Sequence, residues 1–200
     1  MAEETATNAG HMEKLTVKPL TPRYWKDFEK LFGPRGACGG CWCMLWRLKR
    51  SDFEQQKGDG NRAAMKRIVD AGETPGLLAY LNGEPIAWCA IAPRISYPVL
   101  DRSRVLKRID DQAVWSISCL YVAKHLRRKG VSVELLKEAV QYVRMRGGSI
   151  VEGYPVEPKQ DTMPDVFACT GIASAFIQAG FNEQLRRSET RPIMRCNVFA

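Results

Sequence analysis

Ten consecutive residues, Val114–Ala123 (VWSISCLYVA), carry no charge and are rich in β-branched and aromatic side chains. Such a run suits a strand deep in a sheet, buried on both faces. A basic segment, Lys124–Gly130 (KHLRRKG), follows at once. Beyond it Val133, Leu136, Val140 and Val143 recur at helical spacing, with Glu134 in the first turn and Arg144, Arg146 and Gly147 marking the end. The pattern predicts a strand, a tight basic loop and a helix from about Val131 to Arg146. The first amides of a helix lack intrahelical partners, and the macrodipole makes that end positive. Gly130 permits close backbone approach or a positive φ, and Arg127, Arg128 and Lys129 add charge at the same spot. A diphosphate suits such a place; an exposed basic turn without a ligand is the other reading of the same residues.

Around this unit the chain reads as one mixed α/β domain over residues 12–200. Residues 1–11 (MAEETATNAGH) read as a vector-derived leader. Leu15–Leu20 is a strand candidate, and Trp25, Phe28, Leu31 and Phe32 define a helix ending at Gly33-Pro34. Residues 33–47 are irregular and dense in glycine and cysteine. A helix is predicted over Arg62–Ala71, and a hairpin of Leu77–Leu81 with Pro85–Ala92 turns at Asn82-Gly83, a pair that tolerates positive φ. Ser149–Val156 is a further strand, Ile172–Ala179 a short helix, and residues 183–199 hold a final strand pair. Apolar residues at 45% and charged residues at 26% exclude a disordered chain. No apolar run approaches the roughly 20 residues of a membrane span, so no membrane association is expected. The net charge of +8 favours anionic ligands without choosing among them. Seven cysteines, an odd number without an export signal, point to a reducing cytoplasm rather than a disulfide framework.

The segment Leu120–Ser132 resembles the acetyl-CoA signature of the GCN5-related N-acetyltransferases, the GNAT superfamily: Arg/Gln-x-x-Gly-x-Gly/Ala after a Leu-x-Val strand. Leu120-Tyr121-Val122 matches the strand, and Arg127-Arg128-Lys129-Gly130-Val131-Ser132 matches the loop, with Ser132 in the last Gly/Ala position. Residues 172–181 (IASAFIQAGF) resemble the family's fourth helix with its terminal Gly-Phe, and the element order agrees over about residues 13–199.

The resemblance implies the GNAT fold: a mixed, mostly antiparallel sheet flanked by helices, with a parallel strand pair splayed apart to admit pantetheine. It implies acetyl-CoA as co-substrate and direct attack by the primary amine of an acceptor, a small molecule or peptide, in a ternary complex. By that likeness the main chain of Leu120, Tyr121 and Val122 faces pantetheine, Val122 N–H polarises the thioester carbonyl, and amides from Arg128 to Ser132 face the diphosphate. Phe176 takes the place of the tyrosine that in many members reprotonates the CoA thiolate, and Ser116 that of a glutamate base. Glu152, Tyr154 or Tyr121, or a water chain, is left to move protons.

Cys38, Cys41 and Cys43 have the spacing of zinc ligands but lack a second pair, so no metal is expected; the other readings are packed thiols in a tight turn or a lining for the acceptor site. Residues 58–63 (GDGNRA) match a dinucleotide-binding pattern but follow a polar run rather than a strand, and read as a loop feeding a helix. The basic runs lack a nucleic-acid module, so no nucleic acid is expected. Oligomeric state is open, a homodimer included. Two alternatives stand beside the enzyme: a non-catalytic acyl-CoA-binding regulator and a basic nucleic-acid-associated protein.

Overall fold

The computed structural model describes residues 15–158 and 169–199; the leader lies outside them. Seven strands form one sheet, in the order β1 (Thr16–Pro19), β2 (Gly76–Leu81), β3 (Glu84–Pro93), β4 (Trp115–Val122), β5 (Ile150–Gly153), β7 (Pro192–Asn197) and β6 (Asn182–Arg186). Neighbours are antiparallel except β4 and β5, which run parallel. This is the mixed, mostly antiparallel architecture that the resemblance implies. The helices are α1 (Trp25–Phe32), α2 (Arg50–Gln55), α3 (Asp59–Asp70), α4 (Pro98–Arg102), α5 (Val131–Met145) and α6 (Ala173–Gln178).

Period-2 alternation divides the sheet between two cores. Leu77, Cys89, Ile91, Ile117, Leu120 and Val122 pack under α5 and α6. Leu78, Tyr80, Trp88 and Ala90 pack with Phe28 and Phe32 of α1, Met65 of α3 and Trp42. The hairpin turns where the sequence places it, with φ of 51° at Asn82 and 80° at Gly83. Neither α2 nor α4 is foreseen by periodicity; at six and five residues they are too short to show one.

Two departures from regular pairing shape the centre of the sheet. The β3–β4 register shifts so that Ala90 faces Cys119 while Ile91 faces Ile117, which leaves Ser118 as a bulged residue. The bulge turns two successive side chains to the α1 face: Ser118 meets the Tyr97 hydroxyl, and Cys119 meets Cys43.

The second departure is the early end of β5, predicted to reach Val156. Its pairing with β4 is confined to Trp115–Ile117 against Val151–Gly153. There the fully buried Phe176 ring lies so close that a Cβ on Gly153 would sit 2.1 Å from its Cε1. A Cβ on Gly171 would meet Leu120 Cδ1 and Phe176 Cε2, each at 2.8 Å. The ring thus fills the wedge where β4 and β5 part.

Candidate active site

Beyond Ile117, no strand among the described residues pairs with β4 on the side away from β3. Ala123 N–H donates to Ile86 O at 2.8 Å, so odd-numbered residues 121 and 123 turn their backbone to β3, and Leu120 and Val122 turn theirs to the opening. Leu120 N–H there donates to Cys169 O at 2.8 Å, and Arg127 Nε donates to Val122 O at 3.0 Å. Val122 N–H points into the same opening. Tyr121 is a correction to the expectation: its main chain belongs to the β3 ladder opposite Trp88, and its ring packs 5.7 Å from Phe32.

The opening leads to the start of α5. Gly130 holds φ 78°, and Arg128 a positive φ of 60°. Nothing lies within 4 Å of a Cβ at Gly130, so conformation rather than crowding calls for glycine. Val133 and Glu134 N–H both bond back to Gly130 O, at 2.9 and 3.2 Å, so the amides of Gly130, Val131 and Ser132 precede the helical ladder. No side chain caps this end. Arg128 and Lys129 are exposed beside it, while Arg127 is folded back onto Val122.

Three residues read as proton carriers do converge, though in a setting that changes their role. Ser116, Glu152 and Arg195 are register partners across β4, β5 and β7. The Ser116 and Tyr154 hydroxyls are 2.7 Å apart, and Tyr154 donates to Glu152 Oε1 at 2.7 Å. Arg94 Nη1 donates to Glu152 Oε1 at 2.8 Å and to the Tyr154 oxygen at 2.6 Å. Arg195 Nε donates to Glu152 Oε2 at 2.7 Å.

Ser116, Glu152 and Tyr154 are all sealed from solvent. Both carboxylate oxygens are engaged by arginines, so Glu152 is an anchored counter-ion here rather than an available base. Burial, and then the Glu152 charge, push the Tyr154 phenol well up. Phe176 is likewise buried, its ring in the core against Gly153 and Gly171.

The network reaches the surface through Asp101, bound by Arg94, and Asp110, paired with Arg195 at 2.7 and 2.9 Å. The Arg195 hydrogen bond holds the Asp110 carboxyl at about 2. At Asp101 burial acts upward, but Arg94 and Arg108 outweigh it and leave the carboxyl lowered. A depressed folded-state value adds stability above the unfolded value and loses it as pH falls through the folded one. The urea midpoint is therefore expected to hold from pH 7 to about 5 and to fall between about pH 4 and pH 2. Asp110→Asn should make that fall shallower; an identical acid limb would remove the ion pair from the account.

The cysteine-rich segment forms a strained turn. Ala37, Trp42 and Cys43 all hold positive φ, at 61°, 41° and 56°. Cys41 is half-buried and Cys43 buried, with Cys43 Sγ donating to Cys119 Sγ at 3.1 Å. Among the described residues no three His, Cys, Asp or Glu side chains are grouped to hold a metal ion. Sequence reasoning missed Arg94, Arg195 and the reach of Cys119; the odd charges inside otherwise apolar strand flanks were the available signal.

The sheet thus opens along β4 above a glycine-led helix start that no side chain caps. The Acetyltransferase (GNAT) family model matches residues 42–160, and the chain belongs to that family. No curated relative matches it in sequence. A GNAT-family acetyltransferase from Listeria monocytogenes superposes with a TM-score of 0.58 at 10% identity, covering 92% of this chain and 95% of that one. AAC(6')-Ib, crystallised with acetyl-CoA, gives 0.53 at 15% identity over 94% and 96% of the two chains. PaiA N-acetyltransferase from Thermoplasma acidophilum, in complex with coenzyme A, gives 0.51 at 13% identity over 92% and 99%. At these identities the likeness establishes the fold.

Proposed function

We propose that this chain is an acetyl-CoA-dependent N-acetyltransferase in which the primary amine of a small-molecule or peptide acceptor attacks the thioester directly. Family membership supports acetyl transfer. The observation that carries the finer reading is the continuity of the β4 opening with the start of α5. Val122 N–H stands where it can donate to the carbonyl oxygen as negative charge grows on it, while the amides of Gly130, Val131 and Ser132 receive the diphosphate. Leu120 N–H serves pantetheine only by exchanging the Cys169 carbonyl for a ligand acceptor. Ser116, Tyr154 and Glu152 act by holding β4 against β5, and the amine proton leaves by water. We place the activity in the cytoplasm.

Arg128 is the side chain to test, because Arg127 is already engaged. Arg128→Glu is expected to weaken acetyl-CoA binding by about tenfold, read by calorimetry, because an exposed charge at a helix start acts over a short range. Unchanged affinity would place the diphosphate elsewhere.

A second reading, a regulator that binds acetyl-CoA without turnover, is favoured by one observation: the candidate base is locked between two arginines. Release of CoA thiol across a panel of amines separates the two. Turnover with any acceptor supports the enzyme, and binding without release supports the regulator.

A further inference from the structure

The thiols outside the acetyl-transfer account form a chain. Cys43 Sγ lies 3.1 Å from Cys119 Sγ, across 76 residues of sequence, and Cys41, two residues before it in the same turn, directs its Sγ to Gly36 O at 3.6 Å. Cys43 is thus the middle sulfur of three, between a half-buried cysteine and one on the central strand. Two features hold this geometry. Positive φ at Trp42 and Cys43 turns the loop inward, and the Ser118 bulge turns Cys119 toward it. Strain of this kind persists where the surroundings fix it, and here its result is sulfur on sulfur.

The outer sulfur is also the reactive one. The Cys43 thiol, and with it the backbone amides of Cys43, Cys38 and Cys41, lowers the Cys41 thiol to about 6 against the opposing effect of burial. Burial pushes the Cys43 thiol well up, so it stays protonated, with its hydrogen on the Cys119 side. A thiolate beside a resolving thiol is the arrangement that peroxides oxidise.

We propose that the three sulfurs are a reversible oxidation site, in which hydrogen peroxide enters at Cys41 and the product is a Cys43–Cys119 disulfide. Cys41 thiolate attacks one peroxide oxygen, the O–O bond breaks, and hydroxide leaves to become water, giving Cys41 sulfenic acid. Cys43 sulfur attacks that sulfur, and a second water leaves. Cys119 sulfur then attacks Cys43, returning Cys41 as a thiol. In sum two thiols lose two electrons and two protons, and one peroxide becomes two waters. The finished bridge ties the irregular loop to β4 one residue before Leu120. This site does not rest on the acetyltransferase reading, and its test uses no acetyl donor.

The reduced full chain is treated with hydrogen peroxide, alkylated and digested without reductant. The expected product links tryptic peptides 36–47 and 109–124, with a mass about 2 Da below the sum of the two peptides once the alkyl groups on Cys38 and Cys41 are added, and it disappears on reduction by dithiothreitol. Fragmentation should place the link at Cys43. Cys41→Ser is expected to slow the bridge at least tenfold while leaving the thermal midpoint of the reduced chain close to wild type. Cys43 and Cys119 both still alkylated after saturating peroxide would overturn the site, as would a link through Cys38. An unchanged rate in Cys41→Ser would overturn the entry point.

Discussion

Glu152→Ala is expected to lower stability by about 3–5 kcal/mol, read as a fall in the urea midpoint at pH 7. The magnitude follows from what stays behind. Arg94 and Arg195 each direct a donor at Glu152, and Arg94 is as inaccessible as the core around it. Removing the carboxylate takes the inner partner from two cations and the Oε1 acceptor from the Tyr154 hydroxyl. Asp101 and Asp110 hold the outer ends of the guanidiniums, and geometry does not let them replace Glu152. Glu152→Gln, which keeps the shape and one acceptor oxygen, should recover part of the loss. A loss under about 1 kcal/mol together with abolished turnover would instead make Glu152 a base that the folded protein can spare.

Phe176→Ala is expected to cost a similar amount, about 3–5 kcal/mol, by leaving a cavity in the wedge between β4 and β5. The ring packs 5.0 Å from Phe181 and against the bare faces of Gly153 and Gly171, which collapse cannot close without moving β5. Because the same ring lies beside Leu120, this variant should also lower acetyl-CoA affinity. Phe176→Tyr is the informative companion. The added hydroxyl enters a sealed apolar site, so a destabilisation of about 1–3 kcal/mol is expected, with no gain in CoA release. A variant as stable as wild type with faster release would put the ring beside the thiol after all.

What the sequence made legible, and what it hid, divides by range. Local chemistry was readable: Asn82-Gly83 dictates its turn, the uncharged run 114–123 dictates the central strand, and Gly130 stands at a left-handed helix cap. The signature residues 120–132 then led to the fold. Contacts between distant segments were not readable. Glu152 looks like any strand carboxylate until Arg94 and Arg195 are brought to it from 58 and 43 residues away. Likewise, a strict alternation places Ser118 and Cys119 on opposite faces, and only the bulge brings both to one side. The early end of β5 has the same origin, since Gly153 is a neutral strand residue until the Phe176 ring lies over it.

The account turns on the opening along β4 and the amides at the head of α5 forming one continuous acetyl-CoA site. A crystal structure of the chain with acetyl-CoA tests this most directly. The expected map shows the diphosphate within hydrogen-bond reach of the Gly130, Val131 and Ser132 amides and the acetyl carbonyl on Val122 N–H. A nucleotide bound elsewhere, with those amides facing solvent, would contradict it.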